Sequence, residues 1–204
     1  KMDGARLVVQ GFGAVGRHAA SFMTANGAVL VGVADSRGSI HDPGGLDIGA
    51  LLELKQAGKS VIDYPGAKHL DGDSLIDLEC DIWIPAARPD VIREDNAARL
   101  RTRLVVQGAN IPMTAGAEQI LHERGVLCIP DFIANAGGVI CAAMEYRGAS
   151  ETAAMQTIQE KIRRNTEQIL KEVKDRQILP REAAVNLALG RVRKAMSFKR
   201  FTIY

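Results

Sequence analysis

Leu7-Val8-Val9-Gln10-Gly11-Phe12-Gly13-Ala14-Val15-Gly16 is the stretch on which the fold turns. A short aliphatic, β-type run ends abruptly in glycines. Residues 15–25 then carry a helical pattern that stops at Asn26-Gly27. Residues 29–34 (VLVGVA) follow as an unbroken apolar run, the pattern of a strand covered by helices on both faces of its sheet.

Glycines spaced Gly-x-Gly-x-x-Gly are a weak signal alone, because small residues recur in any turn. Placed between a strand and a helix, they match what a dinucleotide pyrophosphate requires. Gly11 permits the tight turn, Gly13 clears the backbone for a phosphate, and Gly16 lets the helix lie close to the sheet. The helix N-terminus adds unpaired N–H groups and the positive end of its dipole. Gly11, Phe12, Gly13, Ala14, Val15 and Gly16 are therefore the candidate phosphate-binding residues. Asp35 ends the second strand nineteen residues past Gly16, where an acid accepts hydrogen bonds from ribose hydroxyls. That acid favours NAD. Arg37, two residues on, suits the 2′-phosphate of NADP, and the pair leaves the cofactor open between NAD and NADP.

Working outward, residues 36–45 read as a turn-rich loop. Strand-like runs recur at Ile82-Trp83-Ile84, Leu104-Val105-Val106 and Val126-Leu127-Cys128-Ile129, with helices expected over 47–56, 89–100 and 114–124. This alternation predicts an α/β fold, a Rossmann-like doubly wound parallel sheet. From Ser150 the pattern is purely helical. Met155, Ile158, Ile162, Ile169 and Val173 share one face, Leu179-Pro180 interrupts, and a second helix covers 181–196. These helices, about 150–204, form a C-terminal appendage. With no linker in evidence, residues 1–204 read as one dinucleotide-binding domain.

Composition narrows the function classes. At 47% hydrophobic and 25% charged residues over 204 positions, the chain is too apolar to be disordered and long enough to bury a core. No apolar run reaches membrane-spanning length, and residues 1–6 carry no secretory segment. Cys80, Cys128 and Cys141, odd in number and set in apolar stretches, read as reduced thiols of a cytoplasmic protein. The four histidines lack metal-ligand spacing, so no metal is expected. Residues 151–204 hold twelve Lys/Arg against six Asp/Glu. Solvated helix faces explain that surplus without a nucleic-acid partner.

In a doubly wound sheet, ligands lie at the carboxyl ends of the strands. The loops there read Pro85-Ala86-Ala87, Gln107-Gly108-Ala109-Asn110 and residues 130–138 (PDFIANAGG). Asn110 and Asn135 offer amides suited to a carboxamide or to ribose hydroxyls, and serve equally as residues that tolerate a left-handed turn. Taken in order, GFGAVG, DSRG, IPAA, QGAN and PDFIANAGGV resemble the cofactor-binding domain of the Glu/Leu/Phe/Val amino-acid dehydrogenases over nearly the whole chain. The resemblance implies pyrophosphate at Gly11–Gly16 and adenosine ribose at Asp35 and Ser36. It places Ala86 and Ala87 on the adenosine side, and Gln107, Gly108, Asn110 and Asn135 among the cofactor contacts, with the two asparagines toward the nicotinamide. The implied reaction is reversible oxidative deamination of an amino acid to a 2-oxo acid and ammonium with NAD(P).

The family's catalytic lysine and aspartate lie on an N-terminal substrate domain. Only ten residues precede Gly11, so that domain is expected to be absent. Lys55, Lys59 and Lys68 sit in no matching motif, no catalytic residue is assigned, and the chain alone is expected to be inactive. Its partners would be the amino-acid or 2-oxo-acid substrate, bound with the absent domain, and further copies in a homo-oligomer. Where glutamate-specific members carry a serine, this sequence has Ala142, a substrate-side position more similar to the branched-chain enzymes. The QGAN and ANAGGV context nevertheless resembles the glutamate enzymes most. Two other classes compete: a non-catalytic NAD(H)-binding sensor or scaffold, and a methyltransferase-like domain. The latter is disfavoured by a glycine spacing that suits pyrophosphate.

Overall fold

Alternation within β1 (Arg6–Gln10) sets the architecture. Leu7 and Val9 join one apolar cluster and Val8 joins another, and all three are fully buried. The two clusters are the two faces of one sheet. Ile82 and Ile84 of β5 (Ile82–Pro85) repeat the pattern on the first face, with Trp83 on the second. The computed structural model describes residues 2–198, in two compact units that divide between Asp131 and Phe132.

The first unit holds the sheet. α1 (Ala14–Ala25), β2 (Val29–Asp35), β3 (Gly38–His41), α2 (Ile48–Gln56) and β4 (Lys68–Leu70) precede β5; β6 (Leu104–Val106), α3 (Ala115–Glu123) and β7 (Leu127–Ile129) follow it. Strand order is β4-β3-β2-β1-β5-β6-β7. The five strands from β2 to β7 run parallel, and β3 and β4 add an antiparallel edge. The chain leaves β1 toward β2 and later returns to pair β5 on the other side. Direction therefore reverses between β1 and β5, where a doubly wound sheet opens its ligand crevice.

Three expectations need correction. Residues 36–45 are not all loop: β2 and β3 form a hairpin whose two-residue turn is Ser36-Arg37, with Asp35 paired to Gly38. The Asp35 carboxylate accepts from the Arg37 N–H at 2.9 Å, so a side chain holds this turn without a glycine. Residues 89–100 are not a helix. Asp90 takes a left-handed φ of 51°, the N–H groups of Val91 and Ile92 both donate to Pro112 O, and only Ala97–Arg99 makes a helical turn. Buried Asn96 fixes that path, accepting from Arg93 N at 2.8 Å and donating to Val91 O at 3.0 Å. Nor is 130–138 wholly loop, since α4 (Asp131–Ala134) and α5 (Gly137–Tyr146) begin within it.

The second unit is helical. α6 (Glu151–Arg176) starts at Ser150, whose hydroxyl accepts from Ala153 N, and ends at Gln177 in a left-handed conformation (φ 55°). α7 (Pro180–Ser197) carries its proline in the first turn, where no N–H is needed. Arg191 of α7 donates to Asn165 and Gln168 of α6 at 2.7 and 3.2 Å. The buried stripe of α6 includes Ala154, Asn165 and Ile169, while Met155, expected inside, is half exposed. Arg163–Glu167, Lys171–Asp175 and Arg176–Glu172 pair one turn apart along α6.

Candidate functional site

A cleft of about 940 Å³ opens at the carboxyl ends of β1, β2 and β5. Gly11, Phe12, Gly13, Asp35, Ser36, Ala86 and Ala87, all expected at a cofactor site, line it, together with Arg37, Ser39, Lys55, Arg88, Asp71 and Asp73.

The glycines divide by what demands them. Gly11 has φ +100°, and a Cβ there would sit 2.7 Å from the Ala87 backbone. Its N–H donates to Ala34 O at 3.0 Å, while Ala86 N donates to Gln10 O at 2.7 Å. The turn therefore lies directly on the Ala86–Ala87 peptide. A Cβ on Gly16 would fall 1.8 Å from Gly11 O, and 3.1 Å from Val9 of β1. Gly16 thus serves the turn's own carbonyl as well as helix-to-sheet packing. A Cβ on Gly13 meets nothing within 4 Å. Phe12 is buried in the core and anchors the turn, and Ala14 and Val15 open α1 exposed. No side chain caps α1, whereas Asp47, Thr114 and Ser150 cap α2, α3 and α6. Its first N–H groups are left for another acceptor.

Asp35 is more enclosed than a ribose-binding acid needs to be, with its side chain 6% exposed. Oδ1 accepts from Arg37 N at 2.9 Å and Ser60 Oγ at 2.8 Å; Oδ2 accepts from Lys55 Nζ at 2.9 Å and Val61 N at 3.0 Å. Burial alone would raise its pKa. The hydrogen bonds from Lys55, Arg37, Ser60 and Val61 outweigh it and hold the group down at about 2. Lys55, Ser60 and Val61 escaped the sequence reading as site residues. A signal for Ser60 did exist: Ser60-Val61-Ile62-Asp63 is a capping box, in which Asp63 accepts from Ser60 N, and Val61 N is left to Asp35.

Gln107 and Gly108 lie outside the cleft lining. Gln107 is fully buried, with Nε2 donating to Glu118 Oε1 at 2.8 Å. Gly108 N donates to Pro85 O at 3.0 Å, and a Cβ there would touch Val15 at 3.2 Å. Asn110 is exposed at the end of the same loop. In the second unit, Asn135 is half-buried beside the start of α5, and Ala142 is exposed along that helix.

Two features of this cleft fit a nicotinamide dinucleotide. Gly13 leaves space that no part of the protein claims, against an uncapped helix end suited to a phosphate. Gln10, Ser39 and Trp83 also line the cleft, and each keeps a buried polar atom, Gln10 Oε1, Ser39 Oγ and Trp83 Nε1, without a hydrogen-bond partner in the protein. Cys80 is no nucleophile: it is buried, and burial pushes its thiol up to about 11. Among the described residues no three His, Cys, Asp or Glu side chains gather as metal ligands, and no helix is long and apolar enough to cross a membrane.

The model of the Glutamate/Leucine/Phenylalanine/Valine dehydrogenase family matches residues 1–200. An NADP-specific glutamate dehydrogenase of Saccharolobus shibatae is 41% identical over 145 residues, 71% of this chain and 34% of that protein. An NAD-specific glutamate dehydrogenase of Staphylococcus aureus is 36% identical over 205 residues, 98% of this chain and 49% of that one. Among solved structures, hetero-hexameric glutamate dehydrogenase from Thermus thermophilus (Leu bound form) superimposes with a TM-score of 0.85 at 26% identity, covering 100% of this chain and 49% of that one. The chain spans about half the length of the curated relatives that match it end to end.

Proposed function

The chain belongs to the glutamate/leucine/phenylalanine/valine dehydrogenase family, and from that premise we propose that it is the cofactor-binding half of an NAD- or NADP-dependent amino-acid dehydrogenase acting on glutamate. The observation that carries the reading is Gly13, whose missing side chain opens onto the cleft and is required by nothing else in the fold.

The reaction so assigned is reversible oxidative deamination to a 2-oxo acid and ammonium, for which the bound dinucleotide supplies the hydride acceptor. The task of this half is to bind and orient. The exposed N–H groups opening α1 hold the pyrophosphate, and buried Phe12 fixes where they point. The Ala86–Ala87 backbone supports the glycine turn and borders the adenosine side. Gln107, through its buried bond to Glu118, sets the course of the loop that carries Gly108 and Asn110. Asn110 and Asn135 are each proposed as contacts of the nicotinamide half, and Ala142 as a substrate-side position. The catalytic lysine and aspartate are assigned to the remainder of the enzyme. A cytoplasmic location and a homo-oligomeric assembly belong to the same reading, and the free cysteines accord with the former.

Calorimetric titration of the chain with NADH tests the cofactor site: saturable one-site binding is expected, and no binding at millimolar ligand would overturn it. For the reaction, the full-length enzyme is assayed with glutamate, leucine and valine. Turnover of glutamate first is expected, and preference for leucine or valine would move the substrate to the branched-chain class.

A further inference from the structure

Among the described residues of the first unit, two that are not glycine hold left-handed backbone, Asp90 (φ 51°) and Ile111 (φ 48°). An aspartate enters that region readily. An isoleucine does not, because its β-branched side chain crowds the backbone there. The two are bonded to each other, Asp90 N donating to Ile111 O at 3.0 Å. The loop after β5, whose Ala86, Ala87, Arg88 and Val91 line the cleft, is thereby joined to the loop after β6, which carries Gly108 and Asn110.

Packing does not account for Ile111. Its side chain is 60% exposed, so burial offsets little of the strain. Strain of this kind persists only where the surroundings impose it, and it gathers at binding sites. Here the surroundings are explicit. Pro112 O accepts from Val91 N at 2.9 Å and from Ile92 N at 3.0 Å, and these bonds with the one from Asp90 are backbone to backbone. The remaining restraint is a side chain twenty residues further on: Ile111 N donates to Asp131 Oδ2 at 2.8 Å. Asp131 is buried, and its carboxylate makes this bond charge-assisted. The N–H so held belongs to the peptide that links Asn110 to Ile111. Fixing that plane fixes ψ of Asn110, and with it the backbone from which the Asn110 amide leaves.

Building on the reading of Asn110 as a contact of the nicotinamide half, we infer that Asp131 is a positioning residue for the cofactor. Its carboxylate holds the Asn110–Ile111 peptide in a conformation that an isoleucine would not keep unaided, and so aims the Asn110 amide. It acts through Asn110 and not by a contact of its own.

The test is calorimetric titration of the chain with NADH and with ADP-ribose, a probe that lacks the nicotinamide ring. Wild type is expected to bind NADH about two- to tenfold more tightly, the scale of one hydrogen bond. Asn110→Ala and Asp131→Ala should each bring that ratio close to one with ADP-ribose affinity near wild type, and the double variant should go no lower. Asp131→Asn, whose amide oxygen still accepts from Ile111 N, should keep most of the ratio. A merely structural role for Asp131 would weaken both nucleotides together. Should Asp131→Ala not fold, the same substitution is made beside Ile111→Gly, since glycine takes the left-handed angle without strain. The ratio is then expected to fall below that of Ile111→Gly alone, and an unchanged ratio overturns the inference. So does a ratio that falls in Asn110→Ala and holds in Asp131→Ala, which leaves the nicotinamide contact standing. A ratio near one in wild type, or unmoved in Asn110→Ala, overturns that contact and the inference with it. Failure of both nucleotides to bind at millimolar concentration overturns the cofactor site itself.

Discussion

Replacing Gly13 and Gly16 by alanine, one at a time, should separate function from folding within a single turn. A methyl at Gly16 would lie 1.8 Å from Gly11 O, where ordinary contact begins at 3.4 Å. Something must therefore move by about 1.6 Å, far more than a few tenths of an ångström of give. Neither side is free. Gly11 is tied to Ala34 O, Gln10 O holds Ala86 N, and α1 is packed through Ala20 into the core. Overpacking against flexible side chains costs about 1–3 kcal/mol, and a clash with pinned backbone belongs at or above the top of that range. At Gly13 the methyl meets nothing, and the backbone angles (φ −84°, ψ −158°) suit alanine. The cost there is the weaker N-cap preference of alanine, within about 1 kcal/mol.

Urea denaturation should then show Gly16→Ala destabilised by about 3 kcal/mol or more and Gly13→Ala close to wild type. Calorimetry should reverse their order of interest, with folded Gly13→Ala losing at least about tenfold in NADH affinity because the methyl occupies the phosphate's approach. Wild-type affinity in Gly13→Ala would show that the open space is not the phosphate site. Wild-type stability in Gly16→Ala would refute the geometry of the turn.

Asp35→Asn should be destabilised in a pH-dependent way. The folded carboxyl titrates at about 2 against an ordinary 3.8, so its contribution is complete above pH 4 and drains away as pH falls through 2. The full shift corresponds to about 2.4 kcal/mol, and solvent reaching Lys55 reduces that to about 1–2 kcal/mol. Urea midpoints from pH 7 to pH 2.5 should show a constant gap down to about pH 4 that then narrows; a gap of constant size to the lowest pH would remove the ion pair from the account. Arg124→Met should cost about 1–3 kcal/mol, since its guanidinium satisfies Ala97 O at 2.7 Å and Leu100 O at 3.0 Å, where the turn at Ala97–Arg99 ends. A loss below about 0.5 kcal/mol in the same denaturation assay would mean that solvent serves those carbonyls as well.

Much of the first unit was legible because its signals are local. The LVVQGFGAVG stretch holds a strand, a turn and a helix start within ten residues, and the Leu104 and Leu127 strands declare themselves by apolar runs between polar ones. Segments that failed are stabilised by distant partners. Val91 and Ile92 sit in a stretch with helical composition, yet their N–H groups bond Pro112, twenty residues away. β3 lacks a turn glycine and is recognised only once Asp35 is seen bonding Arg37 N. For α5, the glycines Gly137 and Gly138 read as loop although both lie in its first turn, where a helix tolerates them.

The same distinction governs the site. Position in a motif reports which residue type stands at the end of β2, and from that an acid at 35 reads as a ribose ligand. Whether the acid is available depends on Lys55, Ser60 and Val61, twenty to twenty-six residues further on, and no local pattern announces that pairing. The glycines are the opposite case, because each is judged by what a single methyl would strike. Two of the three are required by the protein's own backbone and would be kept by a turn that bound nothing. Only Gly13 is unexplained by packing. Of the three glycines, one therefore bears on function, and it stands beside an uncapped helix end in the same cleft. Resemblance to dehydrogenases and the physics of this turn reach the same ligand by separate routes, which is why the alanine pair tests the second without assuming the first.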